Sequence, residues 1–212
     1  MDEKKLTTKI YEKMCECLDA MKNNPDSVSD EDVSRLNNLY SKLCKAMGIS
    51  EHSKWEVRWD LWKWNNTADK LAGKPHDEYM CDTQNIILDT GANEMLKLIT
   101  GTSGATAYSS ANAYIYVGNS STAENASQSG VLATGANRAY AGMDVGYPVV
   151  NSRQMIFRAS FGDTSANFAW NEAAIVNGTG ANAVAMNRKV SNMGTKSTGT
   201  WTLQITVSLT SA

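Results

Sequence analysis

The segment TWTLQITVSL at residues 200–209 decides the fold class of this chain. Its apolar residues alternate strictly with polar ones, and they are Trp201, Leu203, Ile205, Val207 and Leu209. A period of two, filled with β-branched and aromatic residues, predicts a strand that buries one face. Shorter apolar runs between turn residues predict further strands at residues 113–117, 146–150, 154–161, 168–176 and 183–190. Several short strands in series predict an antiparallel sandwich or barrel.

The connections between these strands carry further information. The four residues 151–154 separate Val149-Val150 from the next apolar run, which predicts a hairpin with a four-residue loop. Two other connections, residues 119–130 and 134–142, are long and rich in Ser, Ala, Gly and Asn. Such loops in a compact domain are usually binding loops or segments ordered by a neighbouring chain.

Charge divides the chain near Asp82. Residues 1–82 carry 13 Lys+Arg and 16 Asp+Glu, which is 29 of the 42 charged residues. Residues 83–212 carry the other 7 and 6, together with 13 of the 15 glycines. We therefore expect two domains, a helical region at residues 1–82 that serves for anchoring or as an interface, and a β-rich domain at residues 83–212.

Residues 1–82 are predicted to form about three helices. Apolar residues recur every three or four positions at residues 6–21 and again at residues 33–47, and a third helical pattern runs from residue 50 to about residue 71. Together with the strands downstream, these helices predict a segregated α+β fold. A helical region is followed by an antiparallel β sandwich or barrel-like domain, and Gly91 interrupts a possible helix at the entrance of that domain.

Four tryptophans lie within ten residues of the third helical pattern, and they are Trp55, Trp59, Trp62 and Trp64. On a helix, the first three share one face and Trp64 lies well round from them. One interpretation is that they fill a small helical core. The other is that at least one of them anchors a protein interface, since an 82-residue region cannot easily bury four indoles. All four are therefore candidate protein-interface residues.

Composition argues against two classes of partner. The net charge of −2 supplies no broad cationic surface for nucleic acid. No stretch approaches the roughly 18 uninterrupted apolar residues that a bilayer span needs, and the first residues contain no apolar signal core. We therefore expect a protein partner, with no nucleic acid and no membrane, and the four cysteines suit a reducing compartment.

Groups suited to catalysis or metal binding are scarce. His52 and His76 form no metal-binding motif, and the cysteines include no CxxC pair. Neither a Walker A nor a GxGxxG motif occurs. The sequence therefore predicts a protein that is not an enzyme and has no metal or cofactor.

Glu172 is the one carboxylate flanked by a strong strand pattern. A glycosidase-like acid at this position needs a second carboxylate, for which Asp163 is the candidate within reach by sequence. The alternative is that Glu172 pairs with a basic neighbour, either Arg158 or Arg188.

A series of short motifs runs through the β region in a definite order: NIIL at 85–88, Gly91, ML at 95–96, Leu98, TG at 100–101, AYIYVGNSSTA at 113–123, FRASF at 157–161, FAWNE at 168–172, NRK at 187–189, GTK at 194–196 and TWTL at 200–203. This series resembles a module that is widespread among structural proteins of tailed bacteriophage virions. The resemblance covers about 130 residues and leaves out residues 1–82. It implies a non-enzymatic component of the virion, assembled in the cytoplasm of the bacterial host.

Within that class, small size, near-neutral charge and a two-part build favour a capsid decoration or cement protein that binds and stabilises the head shell. The expected partners are other copies of this chain, with a trimer favoured, and virion proteins such as the major capsid protein. A neck, tail or fibre-attachment protein is the alternative within the class. Outside it, a carbohydrate-binding module stays open, because Tyr114 and Tyr116 point to one side of a predicted strand with Tyr108 close by in sequence.

Overall fold

The fold is taken from a computed structural model that describes residues 11–13, 15, 29, 39, 53–83 and 85–211. The two helices predicted at residues 6–21 and 33–47 lie outside the described residues, except that residues 11–13, 15 and 39 are helical.

The chain divides into two compact units. One consists of Met1–Lys54 with Thr210–Ala212, and the other of Trp55–Leu209. Residues 55–82, which composition grouped with the helical region, thus belong to the same compact unit as the strands that follow them.

From Ser53 to Ser211 the chain forms ten strands and two α-helices: β1 (Ser53–Trp64), α1 (Thr67–Leu71), β2 (Glu78–Asp82), β3 (Ile86–Ile87), α2 (Asp89–Thr100), β4 (Tyr114–Gly118), β5 (Arg138–Gly142), β6 (Val149–Asn151), β7 (Gln154–Phe161), β8 (Ala169–Val176), β9 (Asn187–Thr195) and β10 (Thr200–Ser211). The strands form two antiparallel sheets of five strands each. The first sheet has the order β2-β1-β10-β7-β6, and the second has the order β3-β9-β8-β4-β5. The expectation of a mostly β, antiparallel domain is confirmed.

The apolar face of strand β10 is buried as its alternation predicts, but Thr202 and Thr206 of the polar face are buried as well. Trp201, Leu203, Ile205 and Val207 all lie in the core, and β10 pairs with β7 from Trp201↔Phe161 to Ser208↔Gln154. The same hydrophobic cluster contains side chains of the second sheet, among them Ile115, Val117, Trp170 and Ile175. Each fully buried side chain of this size contributes roughly 1.5–3 kcal/mol, so the core between the sheets is the main source of stability.

The third predicted helix is wrong, because residues 53–64 form strand β1. Val57, Trp59 and Leu61 alternate into the core, and β1 pairs with β2 on one side and neighbours β10 on the other. A short helix does follow, but α1 covers only Thr67–Leu71 and begins at Asn66, whose side chain accepts a hydrogen bond from the Ala68 amide. The β-branched and aromatic residues of β1 fit a pleated surface better than a helix.

The predicted hairpin is present, but its loop has two residues and not four. Val149 pairs with Ile156 and Asn151 with Gln154, which leaves residues 152–153 as the turn. Ser152 adopts a positive φ of 55°, which such a tight turn requires.

One loop prediction and one further strand prediction also need correction. The connection at residues 134–142 is not wholly a loop, because its end forms β5, which pairs with β4. The run at residues 183–190 becomes a strand only at Asn187 and is preceded by an isolated bridge between Val176 and Ala185.

Gly91 does not interrupt helix α2 but allows it to pack. A Cβ atom at this position would lie 2.3 Å from the backbone oxygen of Met186, far inside van der Waals contact. Glycine therefore lets α2 approach the segment that leads into β9. None of the helices in the described part of the chain has the length and apolarity to cross a bilayer.

Candidate functional site

Strand β1 carries all four candidate tryptophans, and its alternation places them on two faces. Trp59 is buried in the core and Trp55 lies on the same face. Trp62 and Trp64 point to the opposite face. The predicted grouping of Trp55, Trp59 and Trp62 on one helical face is therefore wrong, since a strand separates residues an odd number of positions apart.

Trp62 and Trp64 join two aromatic side chains from the β2 hairpin, His76 and Tyr79, in what we call the aromatic strip. The Trp62 and Tyr79 ring centroids are 5.8 Å apart, those of His76 and Tyr79 are 5.9 Å apart, and those of Trp64 and His76 are 6.0 Å apart. Trp62 and Tyr79 are direct cross-strand partners. Tyr79 is 41% exposed and His76 is exposed, so the strip offers ring surface to solvent.

A charged pair fixes the position of Tyr79. Its hydroxyl donates a hydrogen bond to Asp60, whose carboxylate also accepts one at 2.7 Å from Arg58 Nη2. The same Arg58 nitrogen lies 2.9 Å from the Tyr79 oxygen. The hydrogen bond to the Asp60 carboxylate raises the pKa of Tyr79 to about 12, so the ring stays neutral at physiological pH.

Helix α1 fixes the other end of the strip. Lys70 Nζ donates to Ser160 Oγ at 2.6 Å and to Thr202 Oγ1 at 2.8 Å, and it lies 5.5 Å from the Trp64 ring centroid. Partial burial lowers the pKa of Lys70. The Trp64 indole donates to the Lys74 carbonyl at 3.0 Å. Tyr79 and Trp64 are thus each held by a contact beyond the ring pairs, so these two side chains would lose little entropy on binding.

An apolar pocket of about 240 Å³ lies on the other face of β1, at Trp55. Side chains of α2, β6 and β7 form much of its wall, and the full lining is Trp55, Met95, Leu98, Ile99, Tyr108, Pro148, Val149, Val150, Met155, Phe157 and Met186. Met186 and Phe157 are buried, whereas Ile99 and Val150 are largely exposed. The pocket therefore opens from the core to the surface between α2 and β6.

A second aromatic group lies on the second sheet. Tyr140 of β5 packs on Tyr114 and Tyr116 of β4 with centroid distances of 5.6 Å and 4.9 Å, and it is 51% exposed. Tyr108, expected nearby from its position in the sequence, is buried elsewhere and donates to the Val184 carbonyl.

Glu172 forms a fully buried ion pair with Arg188, one of its two expected partners. Arg188 Nη2 lies 2.8 Å from Glu172 Oε2, and both side chains have no solvent exposure. The carboxylate also accepts hydrogen bonds from the amides of Leu132 and Ala133 at 3.0 Å and 2.7 Å. The other expected partner, Arg158, pairs with Asp144 at 3.1 Å.

The ion pair ties the long connection at residues 119–130 to its own chain. Arg188 Nη1 donates to the Thr122 carbonyl at 3.0 Å and to Gln128 Oε1 at 2.8 Å. The amide of Val190 donates to Glu124 at 2.6 Å. A neighbouring chain is thus not needed to provide these hydrogen bonds.

The remaining candidates from the sequence are dispersed. His52 lies outside the described residues, and Cys15 and Cys81 are free thiols. Among residues 53–83 and 85–211 and the few described upstream, no three His, Cys, Asp or Glu side chains come together as a metal site would require.

Sequence patterns did not identify Tyr79, His76 or Asp60 as members of a site. Tyr79 becomes a neighbour of Trp62, and His76 a neighbour of Trp64, only through the pairing of β1 with β2, which a strand prediction for residues 53–64 could have suggested. Comparison of the chain with models of known families, with curated proteins and with solved structures yields no match.

Proposed function

We propose that this protein is a non-enzymatic structural component of a tailed bacteriophage particle, and specifically a capsid decoration or cement protein that binds and stabilises the head shell. Its fold would be an antiparallel β sandwich preceded by a helical region. The aromatic strip is the observation that carries the proposal, because tryptophan and tyrosine dominate the energetics of protein interfaces. The motif series through residues 85–203 supports the assignment to the virion class.

The strip has the chemistry that a protein partner requires. Trp62 and Tyr79 supply apolar ring surface, and Arg58 and Asp60 at one end supply charges already paired within the chain. Burying this pair would carry a desolvation cost that its own attraction only partly repays, so the rings would supply the binding energy. The partner would be a shell protein such as the major capsid protein, and further copies of this chain, in a trimer, would contact one another on the particle.

Particles assembled without the protein test the proposal. They should lose resistance to heat or osmotic shock, and adding the purified protein should restore it. Removing a hot-spot ring by Trp62→Ala or Tyr79→Ala should weaken binding to the shell by roughly 30-fold or more, as about 2 kcal/mol implies. Tyr140→Ala is the matched control, because it removes a similarly exposed ring far along the chain from the strip.

Equal survival of particles with and without the protein would contradict a cementing role. Immunogold labelling at the neck or tail, with none on the head, would instead favour the alternative of a neck, tail or fibre-attachment protein.

A second candidate is a carbohydrate-binding module, favoured by the exposed Tyr140 ring above Tyr114 and Tyr116. Aromatic ring faces bind the apolar faces of sugars. A glycan array with the wild-type protein and the Tyr140→Ala variant tests it, and a blank array for the wild type would remove this candidate.

A further inference from the structure

The apolar pocket lies beside an open sheet edge. Strand β6 is the last strand of the first sheet and has one strand neighbour, β7, among the described strands. Two of its three residues, Val149 and Val150, also line the pocket. An unpaired strand edge and an apolar pocket thus share the same two side chains.

Backbone polar groups of Val150 face the open edge. In an antiparallel pair joined by a two-residue turn, the residues flanking the turn are hydrogen-bonded to each other, and hydrogen-bonded pairs alternate with non-bonded ones. Asn151↔Gln154 flanks the turn, so Val150↔Met155 is the non-bonded pair. The N–H and C=O of Val150 therefore point away from β7, and its side chain is 77% exposed.

The pocket accepts only an apolar group. Its lining contains no charged side chain, and the one hydroxyl, that of Tyr108, donates to the Val184 carbonyl at 3.2 Å. An apolar cavity of about 150 Å³ holds one benzene ring, so about 240 Å³ suits one large apolar side chain. Met95, Met155 and Met186 in the wall can adjust to its shape.

The exposed apolar surface here is too small for a stable dimer. It consists of Trp55, Ile99, Val149 and Val150 with Leu96 nearby on α2, whereas a standard interface takes roughly 20–30 residues from each partner. A small hydrocarbon ligand could fill the pocket but could not bond the Val150 backbone. An extended polypeptide satisfies both features, since its backbone pairs with a strand edge while one side chain enters a pocket.

We propose that β6 and the adjoining pocket bind an extended segment of a partner protein, which pairs with Val150 and inserts one large uncharged apolar side chain into the pocket between α2 and β6. The pocket would receive such a segment whether or not the protein belongs to a virion, because the contacts required are all within Trp55–Leu209.

Capped pentapeptides test this site directly. One probe has leucine at its centre between threonines, and the other has alanine there. The ¹³C-labelled methionine methyl groups of the full chain report binding by NMR through Met95, Met155 and Met186. The leucine peptide should shift these signals and bind roughly 10- to 100-fold more tightly than the alanine peptide, as burial of one leucine side chain implies.

Variants of single residues separate the contribution of the pocket from that of the strand edge. Ile99→Lys places a charge at the pocket and should abolish peptide binding, whereas Leu71→Lys places the same charge on the exposed surface of α1, at a residue that does not line the pocket, and should leave binding unchanged. Val150→Pro removes the outward N–H together with the valine side chain, and Val150→Ala removes the side chain alone. Because an edge strand tolerates proline, Val150→Pro should bind the leucine peptide at least severalfold more weakly than Val150→Ala. Circular dichroism of each variant confirms that the sheets are intact.

Four results would overturn the proposal. One is the absence of any shift with the leucine peptide, and another is equal binding of the two peptides. Tight binding of toluene together with equal peptide binding by Val150→Pro and Val150→Ala would identify a small-molecule pocket. Concentration-dependent dimers that Ile99→Lys abolishes would identify a second copy of the chain as the occupant.

Discussion

Replacing Arg188 by methionine should destabilise the protein by roughly 3–5 kcal/mol, the usual cost of removing one partner of a buried ion pair. The variant leaves the Glu172 carboxylate with the amides of Leu132 and Ala133 as donors and no cation, in a site without solvent exposure. It also removes the bonds to the Thr122 carbonyl and to Gln128. Each kcal/mol lowers the melting temperature by about 2–4 °C in a chain of this size, so a loss of roughly 6–20 °C is expected.

Urea unfolding monitored by circular dichroism measures the loss of stability. It is applied to the single variants Arg188→Met and Glu172→Gln and to the double variant that combines them. Each single variant removes one member of the pair and leaves the other uncompensated. The double variant should therefore lose less than the sum of the two single losses, by about 0.5–3 kcal/mol. Lys74→Met is the matched control, because its ion pair with Asp69 is exposed and should contribute little.

Hydrogen exchange provides a local measurement of the same perturbation. The amides of Leu132 and Ala133 bond to Glu172, so their exchange should accelerate in Arg188→Met more than that of β10 amides. Stability within about 0.5 kcal/mol of wild type, the ordinary range for a surface substitution, would refute the reasoning. Strict additivity of the two single losses would refute it as well.

Three further outcomes are expected. Absorbance titration should show Tyr79 ionising at about 12 and not at the ordinary 10, alongside Tyr108 and Tyr116, whose pKa values are raised by burial. The difference between the wild type and Asp60→Asn isolates Tyr79, because this substitution should return the pKa of Tyr79 toward the ordinary value. Because the folded-state pKa of Tyr79 is raised, its stabilising contribution is complete below pH 10 and is lost as the pH rises through about 12. Gly91→Ala should lower the free energy of unfolding by about 1–3 kcal/mol or more through overpacking against Met186, whereas Gly162→Ala, with nothing within 4 Å of its added Cβ, should change thermal stability little. Lys70→Met should lower the free energy of unfolding by up to about 2 kcal/mol, since it removes charged hydrogen bonds to Ser160 and Thr202. Near-ultraviolet circular dichroism should show a changed environment of Trp64, and an unchanged spectrum would contradict the role assigned to Lys70.

The strands that the sequence predicts well are those whose pattern has one meaning. In β10, strict alternation of five apolar and five polar residues fits a strand and no amphipathic helix. Strand β1 is harder to predict, because its sequence carries two patterns. Trp55, Trp59 and Trp62 have the spacing of a helix face, while Trp55, Val57, Trp59 and Leu61 recur at every second position, as in a strand. Only pairing with β2 and β10 decides between them, and those partners are about 20 and 140 residues away.

The aromatic strip and the pocket depend on such distant pairing even more. Sequence identifies the tryptophans as unusual, but nothing in it connects Trp62 with Tyr79, or Trp55 with Val150, before the sheets are known. The Glu172–Arg188 pair was foreseen as one of two possibilities because only two arginines lie in the nearby strand patterns, and burial then distinguished them.

The strand conformation of β1 shows how one segment can stabilise the core and also present rings for the binding proposed above. On a helix, Trp55, Trp59 and Trp62 would compete for one face, so that burying one would bury all three. On a strand, Trp59 is buried in the core with Val57 and Leu61, which lie on the same face. The alternation then places Trp62 on the opposite face, beside Tyr79. The buried indole fixes the backbone that presents the half-buried Trp62 ring, so Trp62 would lose little conformational freedom in the binding proposed above.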